Sequence, residues 1–160
     1  MNVRYVTLIE FVTDRTQQHV NRLKKLQSIG WENLTSSQKK EYQGYAAKGA
    51  YNYTDMNRVE AAVAEIASAL GLTLSTSTDW TNWSDVSGSL DRYLNNVKAI
   101  RDACPGDLEF PPLPDSMNHL TYEGANNIEK VLEIAYRYSL GDCAVLGQAV
   151  LGVMILGKEE

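Results

Sequence analysis

Met56-Asn-Arg-Val59-Glu-Ala-Ala-Val63-Ala-Glu-Ile66-Ala-Ser-Ala-Leu70-Gly71 is the stretch that decides the fold. Met56, Val59, Val63, Ile66 and Leu70 recur at steps of 3, 4, 3 and 4, so all five share one face of an α-helix. Alanines at 61, 62, 64, 67 and 69 raise helix propensity and let neighbouring helices approach closely. Thr54 precedes the run, and Gly71 stands where a left-handed C-cap belongs.

The same periodicity extends downstream. A polar loop from about 73 to 85, carrying Trp80 and Trp83, leads to a helix over roughly Gly88 to Cys104. Its inner face is Leu90, Tyr93, Leu94, Val97 and Ile100, and Pro105-Gly106 ends it. Phe110-Pro-Pro-Leu-Pro114 is incompatible with a helix, because each proline lacks an N–H and restricts the residue before it. It reads as an extended strap anchored by Phe110 and Leu113. Thr121 opens a last helix, with Glu123 in the first turn where the dipole favours a negative charge and Ile128, Val131, Leu132 and Ala135 as the buried stripe.

Upstream, Thr35 and Gln38 have capping-box spacing ahead of Tyr42, Tyr45 and Ala46. Gly44 weakens that helix by about 1 kcal/mol relative to Ala. Asp14 with Gln17 gives an earlier start, followed by Val20, Leu23 and Leu26 up to Gly30.

The two ends differ from this helical middle. Val3, Tyr5, Thr7, Ile9 and Phe11 alternate as one face of a strand. At the other end Leu-Gly pairs recur at 140–141, 146–147, 151–152 and 156–157, a pattern that suits short strands and turns better than a helix. The expected architecture is mainly α: a small bundle of about five helices over 13–138, with short β segments at the N-terminus (1–12) and the C-terminus (139–160). The C-terminal segment reads either as a hairpin or small sheet paired with the N-terminal strand, or as a segment that finds its partners in other copies of the chain. Unpaired apolar strand edges promote association, which favours the second.

Composition bounds the function. The 160 residues carry 15 Lys+Arg against 20 Asp+Glu, a net charge of -5, which argues against a nucleic-acid partner, since phosphate binding needs a basic face. The 44% of hydrophobic residues can fill a core. The N-terminal residues, interrupted by Arg4, Thr7 and Glu10, do not read as a secretory signal, so the sequons at Asn33, Asn52 and Asn82 read as chance matches. The most apolar stretch, 144–156, falls short of the ~20 residues of a membrane span.

No cofactor is expected. Cys104, Cys143, His19 and His119 are not at metal-ligand spacing, and no P-loop, dinucleotide fingerprint or G-x-S-x-G occurs. Both cysteines read as unactivated, Cys104 because it lies near a helix C-terminus. Asp79, Asp85 and Glu123 lie near aromatics but read as caps or surface acids, and the chain is predicted not to be an enzyme. Tyr51, Tyr53, Trp80 and Trp83 form a candidate sugar-stacking platform, against the more ordinary reading of aromatic anchors folded onto the bundle.

Several short segments together carry a resemblance. They are Thr13-Asp-Arg-Thr16, Gly30-Trp31, Leu34-Thr35, Gly49-Ala-Tyr51-Asn-Tyr-Thr-Asp55, Asn57-Arg58-Val59 and Thr78-Asp79-Trp80. Further along come Arg92-Tyr93-Leu94, Asn96-Val97, Ile100-Arg101, Pro111-Pro-Leu-Pro114 with Met117, Leu120-Thr-Tyr-Glu-Gly-Ala-Asn126 and Ile128-Glu129. In this order and spacing, over roughly 13 to 138, the chain resembles a family of small proteins encoded among the tail and baseplate genes of phages and prophages of Gram-positive, often gut, bacteria. Family members tend to finish with an aromatic-rich, glycine-containing strand, which the Leu-Gly series replaces here.

The resemblance implies a non-enzymatic structural component of a phage tail fibre or baseplate, found in the virion or, before assembly, in the bacterial cytoplasm. Its expected partners are copies of itself, with a trimer favoured, and other tail proteins. The expected assembly residues are Leu140, Val145, Leu146, Val150, Leu151, Val153, Ile155 and Leu156, with Val3, Tyr5 and Ile9 as strand partners. The alternative is a receptor- or carbohydrate-binding module of the same particle, using the aromatic platform.

Overall fold

The computed structural model describes residues 9–81 and 89–141. Five helices form: α1 (Gln17–Ile29), α2 (Ser36–Gln43), α3 (Tyr53–Leu70), α4 (Ser89–Ala103) and α5 (Tyr122–Ser139), with single 3-10 turns at Trp31–Asn33 and Ala46–Gly49. The class is mainly α, and there is no strand among the described residues. Most of the N-terminal β segment and nearly all of the C-terminal one lie outside the described residues.

α3, α4 and α5 pack pairwise into a three-helix bundle. α3 keeps the register its sequence predicts: Met56, Val59, Val63 and Ile66 are buried, and Gly71 closes the helix in the left-handed region (φ 72). It starts slightly earlier than Thr54 suggests. Asn52 is the N-cap, its Oδ1 accepting from Thr54 N at 2.8 Å while Asp55 Oδ2 accepts from Asn52 N at 3.1 Å. α4 buries Tyr93, Leu94, Val97 and Ile100. α5 buries Ile128, Val131, Leu132 and Ala135, and Thr121 Oγ1 caps it by accepting from Gly124 N. The proline strap crosses this bundle with Phe110 and Leu113 packed against the core. Each large aliphatic side chain taken out of water here stabilises the bundle by about 1.5–3 kcal/mol.

α1 and α2 make a second, smaller layer around Leu23, Leu26, Leu34 and Ala46, so the five helices divide into a bundle of three and a pair. Two expectations are corrected in this layer. Thr16, not Asp14, is the N-cap of α1: its Oγ1 accepts from His19 N, and His19 Nδ1 accepts from Thr16 N at 2.9 Å. Asp14 instead accepts from Lys48 Nζ at 2.5 Å. α2 keeps its Thr35–Gln38 capping box but stops at Gln43, because Gly44 takes a non-helical backbone (φ -107, ψ -99). Tyr45 is therefore exposed, and Ala46 enters the small core from the 3-10 turn.

That turn is the main packing partner of α1. Its last residue, Gly49, comes so close to the α1 backbone that a Cβ would lie 2.4 Å from the His19 carbonyl oxygen and 2.8 Å from Val20 N. Both atoms belong to a helix backbone and cannot yield. Gly49→Ala is expected to destabilise the protein by about 1–3 kcal/mol. Urea unfolding followed by circular dichroism measures this, and Gly106→Ala, which would meet no atom within 4 Å, is the neutral comparison.

Candidate functional site

The layers meet around buried charge. Glu129, on the inner face of α5, is 0% exposed, and Arg15, in the segment leading to α1, is 3% exposed. A carboxylate in such a place is tolerable only with cations and N–H donors around it. Arg15 Nη2 donates to Glu129 Oε1 and to Asp55 Oδ1, both at 2.9 Å. Arg58 on α3 forks onto both oxygens of Glu129, its Nη2 lying 2.9 Å from Oε1, and that same Nη2 reaches Asp55 Oδ1 at 2.8 Å.

Backbone groups complete the cluster. Val12 N donates to Glu129 Oε2 at 2.7 Å, and the Val12 and Glu10 carbonyls accept from Arg15 and Arg58. Asn126, one turn before Glu129, bonds both backbone groups of Arg15, at 3.0 and 2.9 Å. Two guanidinium groups and two carboxylates thus join residues 10–15, α3 and α5. Burial works against the Arg58 charge, but hydrogen bonding and proximity to Glu129 and Asp55 outweigh it and hold its pKa above the ordinary value.

The Arg15 guanidinium also lies over the Tyr51 ring, 5.2 Å from its centroid, and the Tyr51 hydroxyl pairs with that of Tyr93. Burial, followed by the Glu129 charge, pushes the Tyr51 phenol above its ordinary range. A second buried carboxylate, Glu60 on α3, takes both Nη atoms of Arg92 from α4 and the backbone N of Ser77. Asn57 clamps Trp80 by accepting from its N and donating to its O, each at 2.9 Å. With every carboxylate oxygen of Glu129 and Glu60 engaged, these groups fix backbone segments. A cavity of about 480 Å³ opens beside the first cluster, between the start of α1, residues 48–51 and the start of α5.

The aromatic residues singled out from the sequence differ in burial where they are described. Trp80 is 8% exposed and belongs to the main core, Tyr51 packs against that core, and Tyr53 is 45% exposed at the start of α3. Trp83 lies outside the described residues. Of the assembly residues, Leu140 is 48% exposed at the end of α5 and Ile9 packs against the main core. Val3, Tyr5, Val145, Leu146, Val150, Leu151, Val153, Ile155 and Leu156 lie outside the described residues. Asp79 accepts from the Ser77 hydroxyl and Glu123 from the Tyr122 hydroxyl, both at the surface; Asp85 lies outside the described residues. The Cys104 thiol donates to the Ile100 carbonyl, and burial pushes its pKa up.

Sequence reasoning passed over Arg15, Asp55, Arg58 and Glu129 as a group. A signal was present for the acids. Glu129 falls on the inner line Ala125, Glu129, Leu132, Tyr136, and Glu60 on Met56, Glu60, Val63, Ala67; a carboxylate inside an apolar stripe calls for a partner. Compared with known proteins, the chain matches no family model, no curated protein and no solved structure.

Glu129→Gln removes the charge that two guanidinium groups share and is expected to cost roughly 3–5 kcal/mol. Arg58→Gln, at a side chain 25% exposed, is expected to cost less, because the remaining Arg15–Glu129 pair persists. Chemical denaturation of the two variants gives the order.

Proposed function

We propose that this chain is a structural component of a phage or phage-like tail, associated with the fibre or baseplate, that self-associates and docks on other tail proteins. The observation that carries the reading is the end of α5. There Leu140 is 48% exposed, and Gly141 (φ 72) turns the chain out of the helix. The Leu-Gly series begins at this point, and its first large apolar side chain is left outside both cores. Such a residue gains by burial against another surface, about 25 cal/mol for each Å² removed from water.

The interior supports a building block in a second way. Its buried carboxylates hold backbone segments in place, so the subunit presents a fixed shape to its neighbours. The carbohydrate-platform alternative fits less well, because Trp80 is buried in the main core and Tyr51 is packed against it.

Light scattering after size exclusion tests the assembly. The full chain is expected to run as a multiple of 17.8 kDa, a trimer foremost, and a chain ending at Gly141 as a monomer with unchanged helicity. A monomeric full chain, or an oligomer that survives the truncation, refutes it. The context is tested by mass spectrometry of purified particles from a host carrying the gene, in which the chain is expected to co-purify with tail proteins.

A further inference from the structure

Charge is divided between the two layers. Residues 16–50, which hold α1 and α2, carry six Lys+Arg and two Asp+Glu, a net +4 within a chain of net -5. From Asp102 to Glu129, across the end of α4, the proline strap and the first half of α5, there are six Asp+Glu and no Lys or Arg. Ion pairs inside the subunit leave the division standing. Among the described residues Lys24, Lys25, Lys39 and Lys40 of the small layer have no ion pair, and neither have Asp107, Glu109 and Asp115.

Each side also has a shape. The basic layer presents Trp31, 43% exposed. Tyr42 of α2 stands edge-on to its ring with centroids 5.6 Å apart, and Lys39 Nζ lies over the ring at 5.3 Å. The next residue, Lys40, is exposed. α2 buries none of its eight residues and is fastened by Arg22, whose Nε and Nη2 each donate to Glu41 at 2.5 Å. Its surface is thus little used inside the subunit. The acidic side presents a concavity of about 400 Å³, with Leu108 and Ile134 as apolar wall and Asp107 and Glu109, both exposed, beside them. Lys130 and Arg137 also line it, but Glu133 holds both at 2.8 Å, so Asp107 and Glu109 are its unbalanced charge.

We propose that these two surfaces bind one another between copies of the chain: Trp31 enters the concavity of a second copy, and Lys39 and Lys40 meet its Asp107 and Glu109. A tryptophan seated in a pocket and ringed by complementary charge is the usual anatomy of a protein contact. The two surfaces share no residue, so the contact is heterologous and repeats from copy to copy, closing a ring or extending a filament. It goes beyond association through the C-terminal segment and does not depend on it. One ring and a few charges bury less than the ~1,200 Å² of a stable interface. Free copies therefore separate at the micromolar concentrations of size exclusion, and copies held together elsewhere engage several such contacts at once.

Light scattering on the full chain tests this, in about 20 mM and about 300 mM salt and from micromolar to about 1 mM protein. At low salt the mass is expected to rise with concentration above the value it keeps at high salt. Trp31→Ala and the double variant Lys39→Glu/Lys40→Glu are each expected to abolish the rise. So is Asp107→Lys/Glu109→Lys, although it brings the net charge nearer zero, a change that by itself favours association. An equimolar mixture of the two double variants is expected to restore the rise. Lys98→Glu on α4, which lines neither surface, is the charge control, and circular dichroism verifies that each variant is folded. The mass kept at high salt reports the C-terminal association and is expected to be the same in every variant, so the two contacts fail separately. The proposal is overturned if the mass at low salt does not rise, if the rise survives in Trp31→Ala or either double variant, or if the mixture shows no rise.

Discussion

The arrangement of the molecule depends on Glu129. A carboxylate with no exposed surface imposes a requirement on everything around it, and the protein meets it with groups from two separate parts of the chain: Arg15 and Val12 before α1, and Arg58 from α3. The arrangement is over-determined, since Arg15 and Arg58 are both also tied to Asp55. An apolar core alone tolerates sliding and repacking of helices. A four-membered charge cluster with directional donors does not, because a shift of one helix leaves a buried charge unpaired. The cluster therefore sets the register between α3 and α5 and locates the start of α1 relative to both.

The same device recurs on a smaller scale between α3 and α4. Glu60 and Asn57 lie one turn apart on α3 and together hold the loop that follows it, Glu60 through Ser77 and Arg92, Asn57 through Trp80. Asn96 adds a donor to the Ser75 carbonyl at 2.7 Å. The loop is thus tied to the bundle through its backbone, and Trp80 is carried into the core by that attachment.

How much of this could be read in advance follows from the range of each interaction. α3, α4 and α5 were legible, because an apolar stripe at helical spacing and caps such as Gly71 and Thr121 are local features. The start of α1 was misplaced because Asp14 and Thr16 are both competent caps two residues apart. The choice falls to Thr16 because its box partner is His19, which packs against Tyr45 with ring centroids 4.3 Å apart, a contact invisible in one dimension. The end of α2 was overrun for a related reason: Gly44 within an apolar pattern can weaken a helix or end it, and the small core requires Ala46 on a different path. The charge cluster joins residues 111 to 117 positions apart, and no local pattern announces a pairing at that distance.

α5 has a mechanical consequence. A subunit secured through the chain beyond Leu140 would receive any pull along the axis of this helix, toward its C-terminal end. Glu129 lies near the middle of that axis, and its carboxylate is bonded to Arg15 and Arg58 from two other parts of the chain. Tension would then load these bonds together, in shear, before the helix could be drawn out of the bundle, whereas a helix peeled from one end breaks its contacts one after another. An ionic tie at mid-length thus opposes sliding of α5 along its own axis.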